Sequence, residues 1–521
     1  MTCRHLVILL ALTHFGVACG KRDPIDRLVS QLDEPGQREA AVEQLLVRVR
    51  KAPVAQRAQV RDRVLDALAE AYRRDEGRDQ IVAALAAIGD RRAAHVFAAA
   101  LGDADRDGSY YEAAVRSAQM LGELDVKEAV PELVAALRRA RQRPRADRQI
   151  WLERAIIETL ERLRSPQAVP ALLEALEADP LRQDWNLNRL AARALGHVGS
   201  PKAAGALVRA LGATGHGTLL LEEARRAICT IGAAASPEVL AGALARDRRG
   251  QPRSNAAAAT RLLPDLGTAS ALPALRRAAR PTDPEEYRLA LAEARLRLGD
   301  AEDLNPLLAL AGDPRAALSS RLRALELLGW HGDARTAATL AAQPSGRDVS
   351  PPPVLRWAAA LAVARSAGSE GAAPFHRRRP TEAEDPVMRQ ASATYHPRLG
   401  VVTDCEDDAA CLEKKLAGAG WRAQERAALD LGRNRSTGAL LALARRLKGA
   451  HPQVQHAILT AMEQLLRMPD ALSPSERPQL GSLLLAAAED PVPAPDLPSG
   501  QELRTRAYCL GHRILRPESS P

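Results

Sequence analysis

The chain has 521 residues and a formal net charge of +9, and only 3 % of its residues are aromatic. One compact core does not normally serve a chain of this length, which excludes a single globular domain. Ala and Leu dominate the apolar residues, and both are strong helix formers. The composition therefore indicates an all-α protein.

Residues 1–18 have the organisation of an export signal. Arg4 precedes the apolar run Leu6–Leu12, and small residues, Gly16 and Ala18, come just before Cys19. A basic start, a short apolar stretch and small residues at a cleavage site are typical of a secretory signal, and the apolar stretch is too short to span a membrane. We expect the mature chain to be exported.

The residues around the cleavage site resemble the lipobox of bacterial lipoproteins, in which the cysteine receives a diacylglycerol and becomes the new N-terminus. The resemblance implies lipidation of Cys19, with residues 19–25 as a tether. Gly16 stands where a lipobox usually has an aliphatic residue. Gly16 and Ala18 also fit an ordinary signal peptidase, which would cut the same bond and leave Cys19 as a free thiol, so both routes remain open.

From residue 88 onward the chain repeats a short pattern: an aliphatic residue, Gly, a turn, and a helix with Pro in its first turn. Successive glycines lie mostly about 32 to 36 residues apart, the length of one helix pair. A fixed period of this size predicts an α-solenoid, in which each pair buries its apolar face by stacking on its neighbours. The repeated glycines are Gly89, Gly122, Gly199, Gly232, Gly267, Gly299 and Gly332.

The pattern explains its own residue types. Gly after the first helix of a pair, as at Gly89 and Gly122, can adopt the left-handed conformation that ends a helix. Asp or Ser next, as at Asp90 and Ser165, can cap the second helix. Pro lies early in that helix, where a missing N–H costs least, at Pro131, Pro170, Pro273 and Pro306.

The repeats resemble the HEAT-like repeats of phycobilisome lyases. Residues 188–211 (NRLAARALGHVGSPKAAGALVRAL) and 115–137 (VRSAQMLGELDVKEAVPELVAAL) carry the resemblance. It implies a solenoid of about 10–12 antiparallel helix pairs over residues 26–367 and 405–515. Between them residues 368–404 lose the pattern and are predicted as an irregular insertion, and 516–521 are predicted as a tail.

The connector after residue 102 contains a possible calcium site. Asp103, Asp105 and Asp107 alternate before Gly108, as in the first half of an EF-hand loop. Position 12 is Ala114 where the loop needs a bidentate Glu, so Glu112 would have to substitute. The connector of HEAT-like repeats commonly has Asp-x-Asp, which accounts for Asp103 and Asp105 without calcium. Both interpretations remain open.

Four cysteines follow Cys19, and an exported protein can pair them. Cys405 and Cys411 are close enough to pair only if Cys405 lies outside the helix that contains Cys411, because six helical residues span about 9 Å. Cys229 lies in an apolar run and is predicted to be a buried apolar residue. Cys509 is expected far away along the solenoid, so a second disulfide is not predicted.

Basic residues concentrate in connectors that follow second helices, and one connector is lengthened and strongly basic. Such connectors share one edge of a solenoid, which predicts a positive edge suited to phosphate-bearing lipids or an acidic protein. The alternative is that cations merely favour helix C-termini. The residues of this basic edge are Arg138, Arg139, Arg141, Arg143, Arg145 and Arg148.

These features favour an exported, lipid-anchored HEAT-repeat scaffold that binds another protein of the bacterial cell envelope and performs no catalysis. No resident cofactor and no nucleic-acid partner are expected, although calcium is possible. A lyase-like enzyme built on these repeats and a calcium-responsive envelope adaptor are the two alternatives.

Overall fold

The computed structural model describes residues 24–34, 36–74, 78–104, 108–142, 147–177, 185–212, 217–300, 304–332, 405, 407–418, 420–489 and 498–516, with short helical pieces between 335 and 366. Within these residues there are 24 α-helices and no β-strand. The predicted all-α solenoid is confirmed. The signal segment 1–18, Cys19 and the insertion 368–404 lie outside the described residues.

The helices are short, and most join their partners through tight turns. Their bounds are α1 Pro24–Gln31, α2 Arg38–Lys51, α3 Arg57–Arg73, α4 Arg78–Ile88, α5 Ala94–Asp103, α6 Gly108–Glu123, α7 Val130–Gln142, α8 Asp147–Leu163, α9 Val169–Leu176, α10 Trp185–Val198, α11 Ala204–Ala210, α12 Gly217–Ile231, α13 Ser236–Leu244, α14 Ala256–Asp265, α15 Leu272–Ala278, α16 Glu285–Arg297, α17 Asn305–Gly312, α18 Leu318–His331, α19 Ala409–Gly418, α20 Trp421–Arg433, α21 Leu440–Leu447, α22 Pro452–Leu465, α23 Arg477–Ala488 and α24 Pro498–Leu515.

The chain divides into two compact units, Met1–Ala171 and Leu172–Pro521, with the boundary inside α9. In the first unit, the first helices α2, α4, α6 and α8 pack on one another as one layer. The second helices α5 and α7 pack side by side in another layer. Leu and Ala side chains that are almost fully buried, among them Leu85, Leu121 and Leu137, fill the space between helices. This is the stacking that the repeat period predicts.

The turn between paired helices uses two different residues for one conformation. Gly89 and Gly199 have φ of 64° and 70°, in the left-handed region that a glycine adopts without strain. The predicted role of Gly122 is wrong, because Gly122 lies inside α6 and Asp125 takes the left-handed position with φ 50°. Gly122 instead permits close packing, since a Cβ there would lie 3.2 Å from Thr159 Cγ2.

Other parts of the repeat pattern hold. Asp90 accepts a hydrogen bond from the Arg92 backbone N–H at 3.0 Å, as an N-cap residue does. Pro131, Pro170 and Pro273 each occupy the second position of a second helix, where no intrahelical donor is lost.

Ion pairs join neighbouring repeats at one-repeat spacing. Arg92 donates to Asp62 at 2.7 Å, across 30 residues, and Arg91 to Glu128 at 2.9 Å, across 37. In the second unit Arg246 donates to both oxygens of Asp283, at 2.7 and 3.0 Å, again across 37 residues. Charges of adjacent repeats therefore fix the register in which the pairs stack.

The second unit contains a set of repeats that returns onto the others. The described residues 405–516, with helices α19–α24, are called here the C-terminal module. Its helix α24 packs against α12 and α14, and α22 packs against α16 and α18. These four helices are the first helices of their pairs, and their common surface is called here the first-helix face. The C-terminal module therefore covers a face that an open array would expose.

One described stretch, Leu219–Leu244, has the length and composition of a membrane-spanning helix. In the structure it comprises most of α12, a short 3₁₀ turn at Gly232–Ala235, and α13. Half of its most apolar window is buried inside the protein.

Candidate functional site

A cluster of buried charges lies between the first-helix face and the C-terminal module. It is called here the ionic seam, and its centre is Arg297, the last residue of α16. The seam contains residues from both the first-helix face and the module. Asp265 ends α14, Glu463 belongs to α22 and Arg506 belongs to α24. All four side chains are less than 10 % exposed.

Arg297 holds two carboxylates from different helices. Its Nη2 lies 2.5 Å from Asp265 Oδ1 and donates to Glu463 Oε1 at 2.7 Å. Its Nε donates to Glu463 Oε2 at 3.1 Å, so the pair with Glu463 is bidentate. A planar guanidinium suits this geometry better than a lysine would. The bidentate pair ties the module to the first-helix face.

Further ion pairs surround Arg297 and its two carboxylates. Arg506 donates to Glu463 Oε1 at 3.0 Å, and Arg225 Nη2 lies 3.6 Å from Asp265 Oδ2. A second pair of carboxylates flanks them, since Arg323 donates to Glu293 at 3.1 Å and lies 3.8 Å from Glu502 of α24. Buried charges are tolerated when each finds partners of opposite sign, and here they do.

An aromatic stack extends the seam at its other end. The rings of Trp330 and His456 are stacked with centroids 4.3 Å apart. The Arg365 guanidinium lies over Trp330 at 3.6 Å and donates to Glu425 at 2.7 Å. Arg506 Nη1 lies 3.4 Å from His456 Nε2, which connects this stack to the ionic centre. Trp330 of α18 thus lies against His456 of the module and against Arg365, which precedes the module.

The electrostatic consequences follow from burial and pairing. Burial raises the pKa of Glu463, but Arg297 and Arg506 outweigh it and hold that pKa well below its usual range. For Glu293 the positive Arg323 and Arg261 likewise outweigh burial and lower the pKa to about 2. Burial lowers the pKa of His331 from 6.5 to about 3, and burial with Arg506 lowers that of His456. The carboxylates are therefore ionised and both imidazoles neutral at pH 7.

Cys229 and Cys509 form a disulfide beside the seam, with Cα atoms 5.0 Å apart. The expectation that Cys229 stays unpaired is wrong, as is the placing of Cys509 far away. The reason is the return of the chain, because α24 packs on α12 although 280 residues separate the two cysteines. No local spacing encodes such a contact.

The structure also joins Cys405 and Cys411, six residues apart, in a disulfide. Helix α19 begins at Ala409, so Cys405 lies outside the helix and Cys411 lies in its first turn. This is the arrangement that the predicted pair requires. The bridge fixes the point at which the chain enters the C-terminal module.

The structure describes only some residues of the predicted calcium site. Asp105 and Asp107 lie outside the described residues, and Glu112 is exposed on α6. The carboxylate of Asp103 accepts from the Tyr72 hydroxyl at 2.7 Å and pairs with Arg78. In the described parts of the chain no three ligand-type side chains are grouped to hold a metal ion. Asp103 thus has a structural role, and calcium binding stays a prediction.

The structure describes only some residues of the predicted basic edge. Arg139 donates to the Leu101 carbonyl oxygen at 3.3 Å, and Arg141 lies 3.6 Å from Glu153. Arg138 is exposed. Arg143, Arg145 and the side chain of Arg148 lie outside the part of the chain that the structure describes. Arg139 and Arg141 of this edge are therefore engaged within the protein.

The repeat pattern does not predict the ionic seam, although the sequence contains one signal of it. Residues 457–462 of α22 (AILTAM) are all buried, so no side of this helix faces solvent there. An apolar run around a whole helix indicates that it is covered on both sides. Glu463 directly after such a run is a carboxylate that needs a buried cation.

Comparison with known proteins agrees with repeats of this type. The sequence pattern described as HEAT repeats matches residues 142–229. A search of curated protein sequences gives no match. The match to HEAT repeats covers these 88 residues of the 521-residue chain.

Among solved structures the chain is similar to phycocyanin lyase, in the CpcE–CpcF complex from Nostoc sp., with 20 % identity, 58 % of this chain and 94 % of that chain covered, and a TM-score of 0.21. It is similar to human deoxyhypusine hydroxylase with 20 % identity, 58 % and 99 % covered, and a TM-score of 0.18. It is also similar to Kap95p in a complex with RanGDP, with 12 % identity, 93 % of this chain and 67 % of that chain covered, and a TM-score of 0.32.

Replacing Glu463 tests the seam directly. Glu463→Ala leaves Arg297 and Arg506 buried without their shared carboxylate, so we expect a loss of about 3–5 kcal/mol in the free energy of unfolding. Urea denaturation measures it. Arg209→Ala is the control, because its pair with Glu177 is exposed, and it should leave the unfolding curve unchanged. An equally small effect of Glu463→Ala would contradict the account of the seam.

Acidification tests the buried imidazoles. His331, His456 and His512 all have a lowered pKa in the folded protein, mainly through burial, so the unfolded chain binds more protons below pH 6.5. Stability should therefore fall as the pH falls from 6.5, before the carboxylates titrate. Melting temperatures between pH 6.5 and 4.5 measure this. A His331→Gln/His456→Gln variant should show a shallower slope, and an unchanged slope would refute the assignment.

Proposed function

We propose that the protein is an exported, lipid-anchored HEAT-repeat scaffold that binds another protein of the bacterial cell envelope. Stacked helix pairs support this role, because they present long surfaces over which many side chains contribute to binding. The observation that carries the export part is the Cys229–Cys509 disulfide. Such a bond persists in oxidising compartments and is rare in a reducing cytosol.

Two observations support a proposal for where a partner would bind. The C-terminal module covers the first-helix face of the second unit. In the first unit α8 carries Trp151, whose side chain is 62 % exposed. Exposed tryptophans often anchor protein interfaces, since they bury a large area at low entropic cost. Trp151 therefore marks the first unit as a candidate place for partner contact.

The anchor would be the acylated Cys19 at the mature N-terminus. We expect the natively expressed protein to be bound to membranes and to begin at Cys19 with the mass of the acyl groups. Intact mass and membrane fractionation measure both properties. The Cys19→Ala variant should lose the acyl mass and leave the membrane fraction. Partners can then be sought by cross-linking in the envelope.

A soluble chain that still begins at Met1 would overturn export. A soluble chain that begins at Cys19 without acyl mass would leave export standing and overturn the lipid anchor, because an ordinary signal peptidase would give that product.

A further inference from the structure

Several contacts between the C-terminal module and the first-helix face are polar. Besides the Arg297–Glu463 pair, the hydroxyls of Thr230 and Tyr508 share a hydrogen bond of 2.9 Å. Arg513 donates to the Pro264 carbonyl oxygen at 3.0 Å, and Arg516 donates to that of Thr230. The polar atoms of α24 thus meet the ends of α12 and α14.

Two clusters of buried apolar side chains are separate from each other. One buried apolar cluster contains residues of the module between Cys405 and Ile514. Trp330 of α18, on the first-helix face, also belongs to it. Another consists of residues 289–363. The module and residues 289–363 therefore each have apolar packing of their own, and the surface between the module and the first-helix face includes charges that must be desolvated when it closes. Such an interface is specific, but it stabilises less than an apolar one of the same size.

The disulfide is the covalent link across this surface, because it joins Cys229 of α12 to Cys509 of α24. Both cysteines are buried, with 3 % and 1 % exposure. A thiol reagent can reach neither sulfur in the closed arrangement, so the bond is protected once it has formed.

We propose that oxidation of Cys229 and Cys509 locks the C-terminal module over the first-helix face, and that the dithiol form releases it. Forming the bond takes two protons and two electrons from the two thiols. An oxidant of the disulfide class accepts them by thiol–disulfide exchange and becomes two thiols. Because the closed disulfide is shielded, the lock is set by oxidation and persists.

The lock decides which charges other molecules meet. In the closed form Arg297 is 2 % exposed and its guanidinium is engaged by Asp265 and Glu463. In the open form the same guanidinium faces solvent, with Arg225 and Arg323 on neighbouring helices. This inference stands apart from the proposed envelope partner, because it concerns the chain's own contacts.

Chemical modification of arginine distinguishes the two forms. Phenylglyoxal is applied to the full chain and to a Cys229→Ala/Cys509→Ala variant, and adducts are located by peptide mass spectrometry. In the parent we expect Arg297 and Arg506 to stay unmodified. In the variant we expect both to be modified to the level of Arg92, whose side chain is 52 % exposed in the closed form.

Two controls make the result decisive. Arg246 lies in the same unit, outside the seam, paired with a buried Asp283, and it should stay unmodified in both proteins. A Cys405→Ala/Cys411→Ala variant removes the other disulfide and should leave Arg297 protected. Protection of Arg297 and Arg506 in the Cys229→Ala/Cys509→Ala variant would overturn the lock. Modification of Arg246 there would also overturn it, because the bond would then maintain the fold of the unit.

Discussion

A pair of short helices cannot bury its own apolar side, and this constraint governs the whole chain. Each pair contributes Leu and Ala side chains that become buried only when the next pair stacks on it. Ion pairs at one-repeat spacing, such as Arg92 with Asp62 and Arg246 with Asp283, then hold neighbouring repeats in register. The apolar contacts supply most of the stabilisation, and the charges select one way of stacking.

The helix pairs of the second unit are covered in two ways. Its repeats stack along the chain, and the C-terminal module then covers their first-helix face. Arg297 lies at the meeting point of α14, α16 and α22, where one guanidinium binds two carboxylates. Buried charges stabilise a closed arrangement weakly but forbid most alternatives, since any shift leaves a charge without its partner. The disulfide between α12 and α24 adds the covalent restraint that such a surface lacks.

The sequence predicts local features well and long-range ones poorly. The repeat period gives the solenoid, and Pro at the second position of α7, α9 and α15 marks the helix starts. The six-residue spacing of Cys405 and Cys411 suffices to anticipate a pair. The spacing predicts the wrong role for Gly122, because glycine serves either a turn or a close helix contact and the spacing does not distinguish them. Cys229 with Cys509 and Arg297 with Glu463 could not be paired, since they meet only after the chain returns over more than 160 residues.

The return of α24 onto α12 is the claim on which the account of the second unit depends. Peptide mapping without reduction, on protein purified from its native compartment with free thiols blocked at lysis, tests it most directly. If α24 returns onto α12, we expect one cross-linked peptide pair that contains Cys229 and Cys509. Recovery of both cysteines as blocked free thiols, or of either one linked to Cys405 or Cys411, would contradict it.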